Sequence, residues 1–260
     1  MPTGNVFDSG KLPPPDAALS LGAWKDFIKT QLPIMRENDA KSFNTNSELQ
    51  VICLLENRSP DLEFVIHNAR MMLGHQWGFQ LVTSPVLAAW AEEVVGNIKG
   101  VKILPLLVPG IKADALKRTE EFWQQVTGEH LLLIDNNSIL CHGRIKEYLK
   151  YDYVAALWRT EDVSPWCRFG GGISLRKKSV MLKVCDECNN NAVLIPDESV
   201  FISMMLRLQP DEYYLAGDSV AAKFAVESCY NNSPFALHKA WQYIEHQLLS
   251  ELLGQIDIGI

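Results

Sequence analysis

Four consecutive polar residues, 135–138, follow an apolar run and carry side chains of the kinds that bind cations and polar ligands. Asp135 supplies a carboxylate, Asn136 and Asn137 supply amides, and the next residue supplies a hydroxyl. Such oxygen atoms are the ligands that a hard divalent cation prefers. A polar turn that closes a core strand has the same composition, so these residues alone leave both interpretations open.

The apolar run at residues 131–134 indicates where this polar cluster lies in the fold. Four apolar residues in a row predict a strand that is buried on both faces, as in a mostly parallel sheet. In open α/β sheets, ligands bind in the crevice beyond the carboxyl ends of the strands. The cluster therefore stands where an α/β protein is expected to bind a polar ligand.

Two charged residues, Glu56 and Arg58, stand in the same position relative to an earlier strand. They come at the end of an apolar segment, residues 49–57, which we predict to be the first strand of the sheet. Nucleotide-binding α/β folds place their first ligand contacts at the carboxyl end of this strand. An exposed ion pair on a loop explains the two residues equally well.

Three glycines, Gly170, Gly171 and Gly172, stand directly before a short apolar segment that predicts a strand. Glycine backbones approach a ligand closely and adopt conformations that a β-carbon forbids, so the three predict a ligand contact. A structural hinge is the alternative. Asp197 and Glu198 lie at the predicted start of a helix over residues 196–207, where acids also act as simple caps.

The elements that would position these residues predict an α/β/α sandwich with a central, mostly parallel mixed sheet. Alternating strands and helices are the pattern of a parallel sheet with right-handed crossovers. An amphipathic helix is predicted before them at residues 18–32, ended by Pro33. Strands are predicted at residues 49–57, 79–85, 101–107, 131–134, 151–158 and 224–228, and further helices at residues 62–73, 86–98, 113–126, 144–150 and 241–253. We expect an arm and helix at residues 1–47 and one domain at residues 48–260.

The composition is that of a globular protein and excludes several classes. Hydrophobic residues make up 47% of the 260 residues and charged residues 21%, so disorder along most of the chain is not expected. A net charge of -7 argues against a surface that coats nucleic acid. No GxGxxG or GxxxxGK[ST] follows a predicted strand, so neither a dinucleotide oxidoreductase nor a nucleoside triphosphatase is supported.

The chain is expected to be cytoplasmic. The first residues show no secretory signal, no apolar run reaches the roughly 18 residues of a spanning helix, and the six cysteines are spaced as reduced thiols. The apolar helices near both ends are suited to an interface in a homo-oligomer.

Seven segments, in this order, resemble a largely uncharacterised family of glycosyltransferase-like proteins with the GT-A nucleotide-sugar-binding fold. The resemblance covers roughly residues 49–241. The segments are VICLLENRSPDLEFVIHNARMMLGHQWGFQL, GEHLLLIDNNSILC, YDYVAALW, GGGISLR, PDESVFIS, FAVES and PFALHKAW. What the resemblance implies is a transferase that moves a sugar from a nucleoside-diphosphate donor, UDP- or GDP-linked, to a hydroxyl of a glycan or other acceptor, with Mn²⁺ or Mg²⁺ as cofactor.

The resemblance also implies roles for individual residues. In GT-A enzymes an Asp-x-Asp motif binds the cation and the donor, and Asp135, Asn136 and Asn137 stand in its place. A histidine near the C-terminal end often completes the site, and His238 matches it, although a lone histidine in a loop at residues 234–241 is usually a surface residue. By the same resemblance Asp135, Asn137 and His238 are the metal ligands. Donor contacts are expected from Glu56, Arg58, Asp135, Asn136, Asn137, Gly170, Gly171 and Gly172.

Two departures from the family pattern bear on the chemistry. Asn137 replaces the second acid of the motif, which removes one charge from the cation site. Related inverting enzymes carry Glu-Asp where this chain has Glu198-Ser199, so the base that deprotonates the acceptor is expected to be Glu198 or, with a slip of one residue, Asp197.

Three functions are compatible with this sequence. The leading hypothesis is an inverting, cation-assisted glycosyltransferase. A non-catalytic nucleotide-sugar or glycan-binding protein on the same fold is the second, since Asn137 has lost the acid. A nucleotidyltransferase is the third, although the basic loop expected near its first strand is missing.

Overall fold

The computed structural model describes residues 14, 16–38, 43–96, 98–107, 112–159, 169–191 and 211–256. Its strands are β1 (Leu49–Leu55), β2 (Gly78–Thr83), β3 (Val101–Leu104), β4 (His130–Asp135), β5 (Ser138–Leu140), β6 (Tyr153–Leu157), β7 (Phe169–Lys177), β8 (Ala225–Val226) and β9 (Ala236–His238). Its helices are α1 (Ala17–Asn38), α2 (Leu62–Leu73), α3 (Pro85–Val95), α4 (Ala113–Leu116), α5 (Glu120–Gln125), α6 (Lys178–Asn191), α7 (Asp218–Phe224) and α8 (His246–Gly254), with 3₁₀ turns at Arg144–Tyr148 and Ala240–Gln242. In these residues no helix has the length and apolarity needed to cross a membrane.

The large sheet has six strands in the order β3-β2-β1-β4-β7-β6. The strands β3, β2, β1 and β4 are each parallel to their neighbours, whereas β7 is antiparallel to both β4 and β6. The chain runs outward from β1 to β3 and then returns to the other side of β1 as β4. The carboxyl ends of β1 and β4 therefore flank the point where the strand order reverses, which is where open α/β sheets bind ligands.

Helices cover both faces of this sheet. Successive side chains of a strand point to opposite faces. Accordingly, Val51, Cys53 and Leu55 of β1 pack in a core with α1, α2, α3 and α8, whereas Ile52 and Leu54 pack in a second core with α5 and α6. The predicted fold class, an α/β/α sandwich around a mostly parallel mixed sheet, is confirmed.

A second, small sheet has the strand order β5-β9-β8. The strand predicted at residues 131–134 is β4 of the large sheet, and the segment then continues into β5 of the small sheet, which was not predicted. The division follows from the polar cluster: Asp135 Oδ1 accepts a hydrogen bond of 2.7 Å from the backbone N–H of Asn137, which closes a turn. The cluster thus makes a turn and also joins the two sheets.

A buried asparagine on α2 holds β5 in place. Asn68 Nδ2 donates to the carbonyl of Leu140 at 3.0 Å, and its Oδ1 accepts from the N–H of the same residue at 2.7 Å. Both polar groups of the side chain are satisfied, so burial of the amide costs little. The small sheet is therefore fixed to α2, and α2 packs on the large sheet.

The prediction that Pro33 ends the first helix is wrong, because α1 continues to Asn38 with the proline inside it. Proline removes one hydrogen bond of the helix. Met35, beyond the proline, is completely buried in the first core, and this burial favours continuation of the helix. The same helix brings Trp24 to Trp241, with ring centroids 4.6 Å apart.

Three predicted helices also differ from the structure. The one predicted at residues 113–126 is two short helices, because Thr119 Oγ1 accepts from the N–H of Phe122 and starts α5 afresh. The helix predicted at residues 144–150 is a 3₁₀ turn. The closing helix predicted at residues 241–253 is a 3₁₀ turn at Ala240–Gln242 followed by α8.

Candidate functional site

The carboxylate of Asp135 and the imidazole of His238 lie together where β4 and β9 end. Asp135 Oδ2 is 3.1 Å from His238 Nε2. Strand pairing explains this contact: β5 begins just after Asp135, and its first residue, Ser138, lies opposite His238 in the register with β9. The expectation of a surface histidine in a loop is wrong, because His238 is in a strand and only 2% exposed.

Asp135 is at the centre of a set of hydrogen-bond donors. Its Oδ1 accepts from the N–H of Asn137 at 2.7 Å and from Ser138 Oγ at 3.4 Å. Its Oδ2 accepts from Asn137 Nδ2 at 3.4 Å, and Lys239 Nζ lies 3.7 Å from the same oxygen. The carboxylate therefore both closes the β4–β5 turn and attracts two cationic side chains, His238 and Lys239.

The charges of Asp135 and His238 stabilise one another, and the pKa values of both groups reflect this. Burial alone would raise the pKa of Asp135, but the nearby His238 and Lys239 and the hydrogen bonds from His238 and Asn137 hold it well below its usual value. Burial alone would lower the pKa of His238, but the carboxylates of Asp135 and Glu227 outweigh it and raise the pKa to about 9. His238 is thus an imidazolium at neutral pH.

Glu227 is a member of this site that the sequence analysis missed. It follows β8 and is 4% exposed, and its Oε1 lies 2.9 Å from His238 Nδ1, on the side of the ring away from Asp135. In the sequence it is only the polar end of the FAVES segment. A signal was available: a lone acid directly after an apolar strand stands at the same kind of position as Asp135.

The glycines predicted to precede a strand lie inside β7, which corrects that prediction. The pairing of β6 with β7 shifts register here, from Ala155 opposite Ser174 to Ala156 opposite Gly170. A β-carbon on Gly172 would lie 1.9 Å from His238 Cε1, and one on Gly170 would lie 2.0 Å from Trp158 Nε1 and 2.2 Å from Glu227 Oε2. The absence of a side chain at these two positions therefore leaves room for His238, Trp158 and Glu227.

Lys239 has an unusual backbone for a residue with a side chain. Its φ is 46°, in the left-handed region that favours glycine. A non-glycine residue in that region is uncommon and is often found at functional sites. Here the conformation ends β9 and leaves Nζ 3.7 Å from Asp135, with 35% of the side chain exposed. Lys239 was not among the predicted site residues.

The residues after β1 lie beside the same crevice but have local partners. Glu56 Oε1 accepts from the N–H of Ala113, at the start of α4, with a distance of 2.6 Å. The guanidinium of Arg58 lies 5.8 Å from the ring centroid of Trp90 on α3. Asn136 Nδ2 donates to Ser59 Oγ at 3.1 Å, which links the end of β4 to the end of β1.

The predicted site residues are thus brought together in part. Asp135, Asn137, His238, Gly170 and Gly172 converge, and Gly171 lies between the two glycines in β7. Glu56, Arg58 and Asn136 lie at the neighbouring end of β1 and β4. Asp197 and Glu198 are outside the described residues. The roles predicted for all of these residues stay predictions.

The residues present fit a divalent cation. Asp135 Oδ2 and His238 Nε2 are 3.1 Å apart, and two ligands of one cation, each bonded at about 2.1 Å, are separated by roughly 3 Å. In the described part of the chain, no three His, Cys, Asp or Glu side chains are grouped to hold a metal ion. A cation such as Mg²⁺ commonly takes one or two protein ligands and completes its shell with substrate phosphates and water.

Comparisons with known proteins identify one family model and several similar structures. The model described as "Protein of unknown function (DUF5672)" matches residues 111–238 of this chain. None of the curated proteins matches the chain in sequence.

Three solved structures to which this chain is similar are of glycosyltransferases. Two are of GlyE from Streptococcus pneumoniae TIGR4, one in the apo form, with TM-scores of 0.48 and 0.49 at 11% and 12% identity. They match 78% and 79% of this chain and 62% of GlyE. A third is the mannosyltransferase PcManGT from Pyrobaculum calidifontis in complex with GDP-Man and Mn²⁺, with a TM-score of 0.43, 12% identity and coverage of 76% of this chain and 65% of PcManGT. The chain thus spans less than two thirds of the length of each.

Proposed function

We propose that this chain is a glycosyltransferase that takes a sugar from a UDP- or GDP-linked donor and transfers it, with inversion, to a hydroxyl of a glycan or other acceptor. The observation that carries the proposal is the convergence of Asp135, His238 and Lys239 beside the crevice between β1 and β4. Oxygen and nitrogen ligands, a cationic side chain and a topological switch point are together the requirements of a site for a phosphate-bearing ligand.

The charges of the site support assistance by a divalent cation, Mn²⁺ or Mg²⁺. Asp135 and Glu227 carry two negative charges, and His238 and Lys239 balance them at neutral pH. A nucleoside diphosphate adds negative charge that this neutral set does not compensate. A divalent cation held by Asp135 and His238, with Asn137 beside them, would displace the Nε2 proton of His238 and still add one net positive charge, which compensates the donor and the diphosphate that leaves.

Side chains of this chain have distinct roles in the proposal. Lys239, which is partly exposed, attracts the diphosphate oxygens. Asn136 and Ser59 hold the ends of β4 and β1 together, and so set the width of the crevice in which the nucleotide binds. Glu56 and Arg58 lie beside that crevice and are our candidates for contacts with the base or ribose. Gly170, Gly171 and Gly172 are our candidates on the acceptor side.

We assign the acceptor base to Glu198, with Asp197 as the alternative. Inversion requires a base that removes the proton of the acceptor hydroxyl as the hydroxyl attacks the sugar carbon. Substitution distinguishes them: Glu198→Gln or Asp197→Asn should lower turnover by at least about 100-fold while donor binding persists. If both variants keep full turnover, the base is neither residue.

A binding protein without catalysis is the second candidate function, and the specific observation in its favour is Asn137. This residue supplies no charge to a cation, and its side-chain amide donates to Asp135. On this alternative the same crevice binds the nucleotide sugar or a glycan and no transfer follows.

Calorimetry tests the proposal with a panel of nucleoside diphosphates, with and without Mn²⁺ or Mg²⁺. We expect one of UDP and GDP to bind, more tightly with the cation. Hydrolysis or transfer of the matching nucleotide sugar then supports an enzyme, and tight binding with no turnover supports the binding protein. Failure of all nucleoside diphosphates to bind would overturn both the glycosyltransferase and the nucleotide-sugar-binding protein, and would leave only a protein that binds a glycan.

A further inference from the structure

Glu56 is an exposed acid just after β1 whose side chain is held by a distant part of the chain. Its Oε1 accepts a hydrogen bond of 2.6 Å from the backbone N–H of Ala113, 57 residues further along. Among the described residues, none donates a hydrogen bond to the other oxygen, Oε2. The carboxylate is therefore anchored through one oxygen, and its remaining lone pairs are available to the donors of a ligand.

The position of Glu56 along β1 separates it from the residues that the proposed function assigns to the diphosphate. Leu54 of β1 lies opposite Asp135 of β4 in the sheet, so Glu56 comes two residues beyond the level of Asp135. Because a ribose separates the base of a nucleotide from its diphosphate, the base must bind at some distance from Asp135. Glu56 offers acceptor oxygens at such a position, on the neighbouring strand end.

A carboxylate that faces a base distinguishes guanine from the others, because an ionised carboxylate only accepts hydrogen bonds. The Watson–Crick edge of guanine carries two adjacent donors, N1–H and the N2 amino group, which match the two oxygens of a carboxylate. Uracil has a single N–H between two carbonyls, and one of these carbonyls would face a carboxylate oxygen. Adenine and cytosine each place an amino group beside a ring nitrogen that only accepts.

The side chains next to Glu56 suit a flat ring but do not choose between bases. The guanidinium of Arg58, an exposed residue, lies 5.8 Å from the ring centroid of Trp90 on α3. Guanidinium planes and aromatic rings stack on any base, since every base has a π-face. A choice of base at this end of the crevice therefore has to come from hydrogen bonds.

We propose that Glu56 selects guanine, so that the donor of this chain is linked to guanosine diphosphate. The two carboxylate oxygens accept from N1–H and from the N2 amino group, and Oε1 keeps its bond to Ala113 through a further lone pair. That a nucleotide binds here rests on the proposed function, whereas the choice of base rests on the anchored carboxylate. The alternative ligand for an acid at such a strand end is a ribose hydroxyl.

The first test is calorimetry of the wild-type protein in Mn²⁺ with GDP, UDP and inosine diphosphate, which is GDP without the N2 amino group. GDP should bind about 10- to 100-fold more tightly than UDP, and inosine diphosphate should have an intermediate affinity. UDP that binds as tightly as GDP, or inosine diphosphate that equals GDP, would overturn the choice of guanine. These comparisons need no variant.

The second test is Glu56→Gln, which keeps an oxygen for Ala113 and replaces the other acceptor by an amide donor. GDP affinity should fall about 10- to 100-fold while UDP affinity does not fall, so the preference for GDP is lost. Glu93→Gln, at an exposed position on α3, removes the same charge and should keep the preference. Equal losses of GDP and UDP in Glu56→Gln would contradict the role.

A third comparison decides between the base and the ribose. If Glu56 binds the base, GDP and 2′-deoxy-GDP lose affinity by the same factor in Glu56→Gln. If wild-type protein binds 2′-deoxy-GDP much more weakly than GDP, and this difference disappears in the variant, the acid binds the ribose and the proposal is wrong.

These tests separate the choice of guanine from the proposed function. If UDP binds more tightly than GDP and a UDP-linked sugar is hydrolysed or transferred, the choice of guanine fails and the glycosyltransferase stands. If GDP binds with the expected dependence on Glu56 but no GDP-linked sugar is hydrolysed or transferred, the guanine site stands and the glycosyltransferase fails.

Discussion

Gly172 and His238 fit together only because residue 172 has no side chain: its β-carbon would lie 1.9 Å from Cε1 of the imidazole. Contacts under 3.0 Å are essentially never made by real β-carbons, so one of the two must move if glycine is replaced. His238 is buried and has a carboxylate on each side, which leaves the ring little freedom to move.

The substitution Gly172→Ala is therefore expected to displace His238 and to lower the free energy of unfolding by roughly 1–3 kcal/mol. Urea denaturation measures the change. Gly217→Ala is the matched control, because its φ is -73° and nothing lies within 4 Å of its β-carbon. Equal stability changes in the two variants would show that position 172 has room after all.

Replacement of Gly22 by alanine should stabilise the protein, in contrast to Gly172→Ala. This glycine lies within α1 on an exposed face, and nothing lies within 4 Å of its β-carbon. Glycine in a helix is less favourable than alanine by about 0.5–1 kcal/mol, so Gly22→Ala should raise the free energy of unfolding by that amount. No gain in thermal or urea stability would indicate that α1 adds little to the folded state.

Asn68 should contribute strongly to stability, because it satisfies two buried backbone groups of Leu140. In Asn68→Ala both groups lose their partner, at a cost of about 1–3 kcal/mol for each. We expect a loss of roughly 2–5 kcal/mol in urea denaturation, together with weaker nucleoside diphosphate binding, since β5 sets the position of the site. The exposed Asn38→Ala provides the control and should change stability by less than about 0.5 kcal/mol.

The Asp135–His238 pair predicts how stability depends on pH in the absence of cation. The pKa of His238 is raised from 6.5 to about 9, so its contribution is complete below about pH 6.5 and is lost as pH rises through 9. The pKa of Asp135 is lowered, so its contribution is present above about pH 4 and is lost as pH falls further.

Thermal unfolding in EDTA between pH 3 and pH 10 measures this dependence. The pair should stabilise the wild-type protein most between about pH 4 and pH 6.5. In His238→Asn the difference between pH 6 and pH 10 should shrink, because asparagine carries no charge. A variant that loses as much stability as the wild type over this range would assign the effect to other groups.

Asp135→Asn should abolish the enhancement of nucleoside diphosphate binding by Mn²⁺, because the substitution removes the negative charge that a cation requires. Calorimetry with and without the cation measures the response. Asp186→Asn, at an exposed position on α6, should retain it. A normal cation response in Asp135→Asn would remove this residue from the metal site.

Sequence patterns were sufficient to predict the strands of the large sheet. Apolar runs gave β1 and β4, and the topology then placed the residues that follow them, Glu56 and Asp135, at neighbouring strand ends. Boundaries failed where one side chain decides them. Pro33 did not end α1, and Thr119 divided the helix predicted at residues 113–126 by accepting a hydrogen bond from the N–H of Phe122. Such local hydrogen bonds and distant burial are invisible to periodicity.

The small sheet could not be inferred because it depends on contacts between remote segments. Three strands of two or three residues carry too few side chains to show a period. His238 therefore appeared to lie in a loop, and its second acid went unnoticed. The ligand contact predicted for the glycines of β7 stays a prediction, and the described contacts explain two of these glycines by the side chains that they accommodate.

The middle strand of the small sheet is also its last in the sequence. Because β9 lies between β5 and β8, these two strands leave the ribosome before the strand that joins them. Asp135 likewise acquires its ion-pair partner only when His238, 103 residues further along the chain, has been synthesised. A nascent chain halted before residue 236 would hold every described strand of the large sheet and still lack the imidazole of His238, so competence to bind should arise only after β9 has been synthesised.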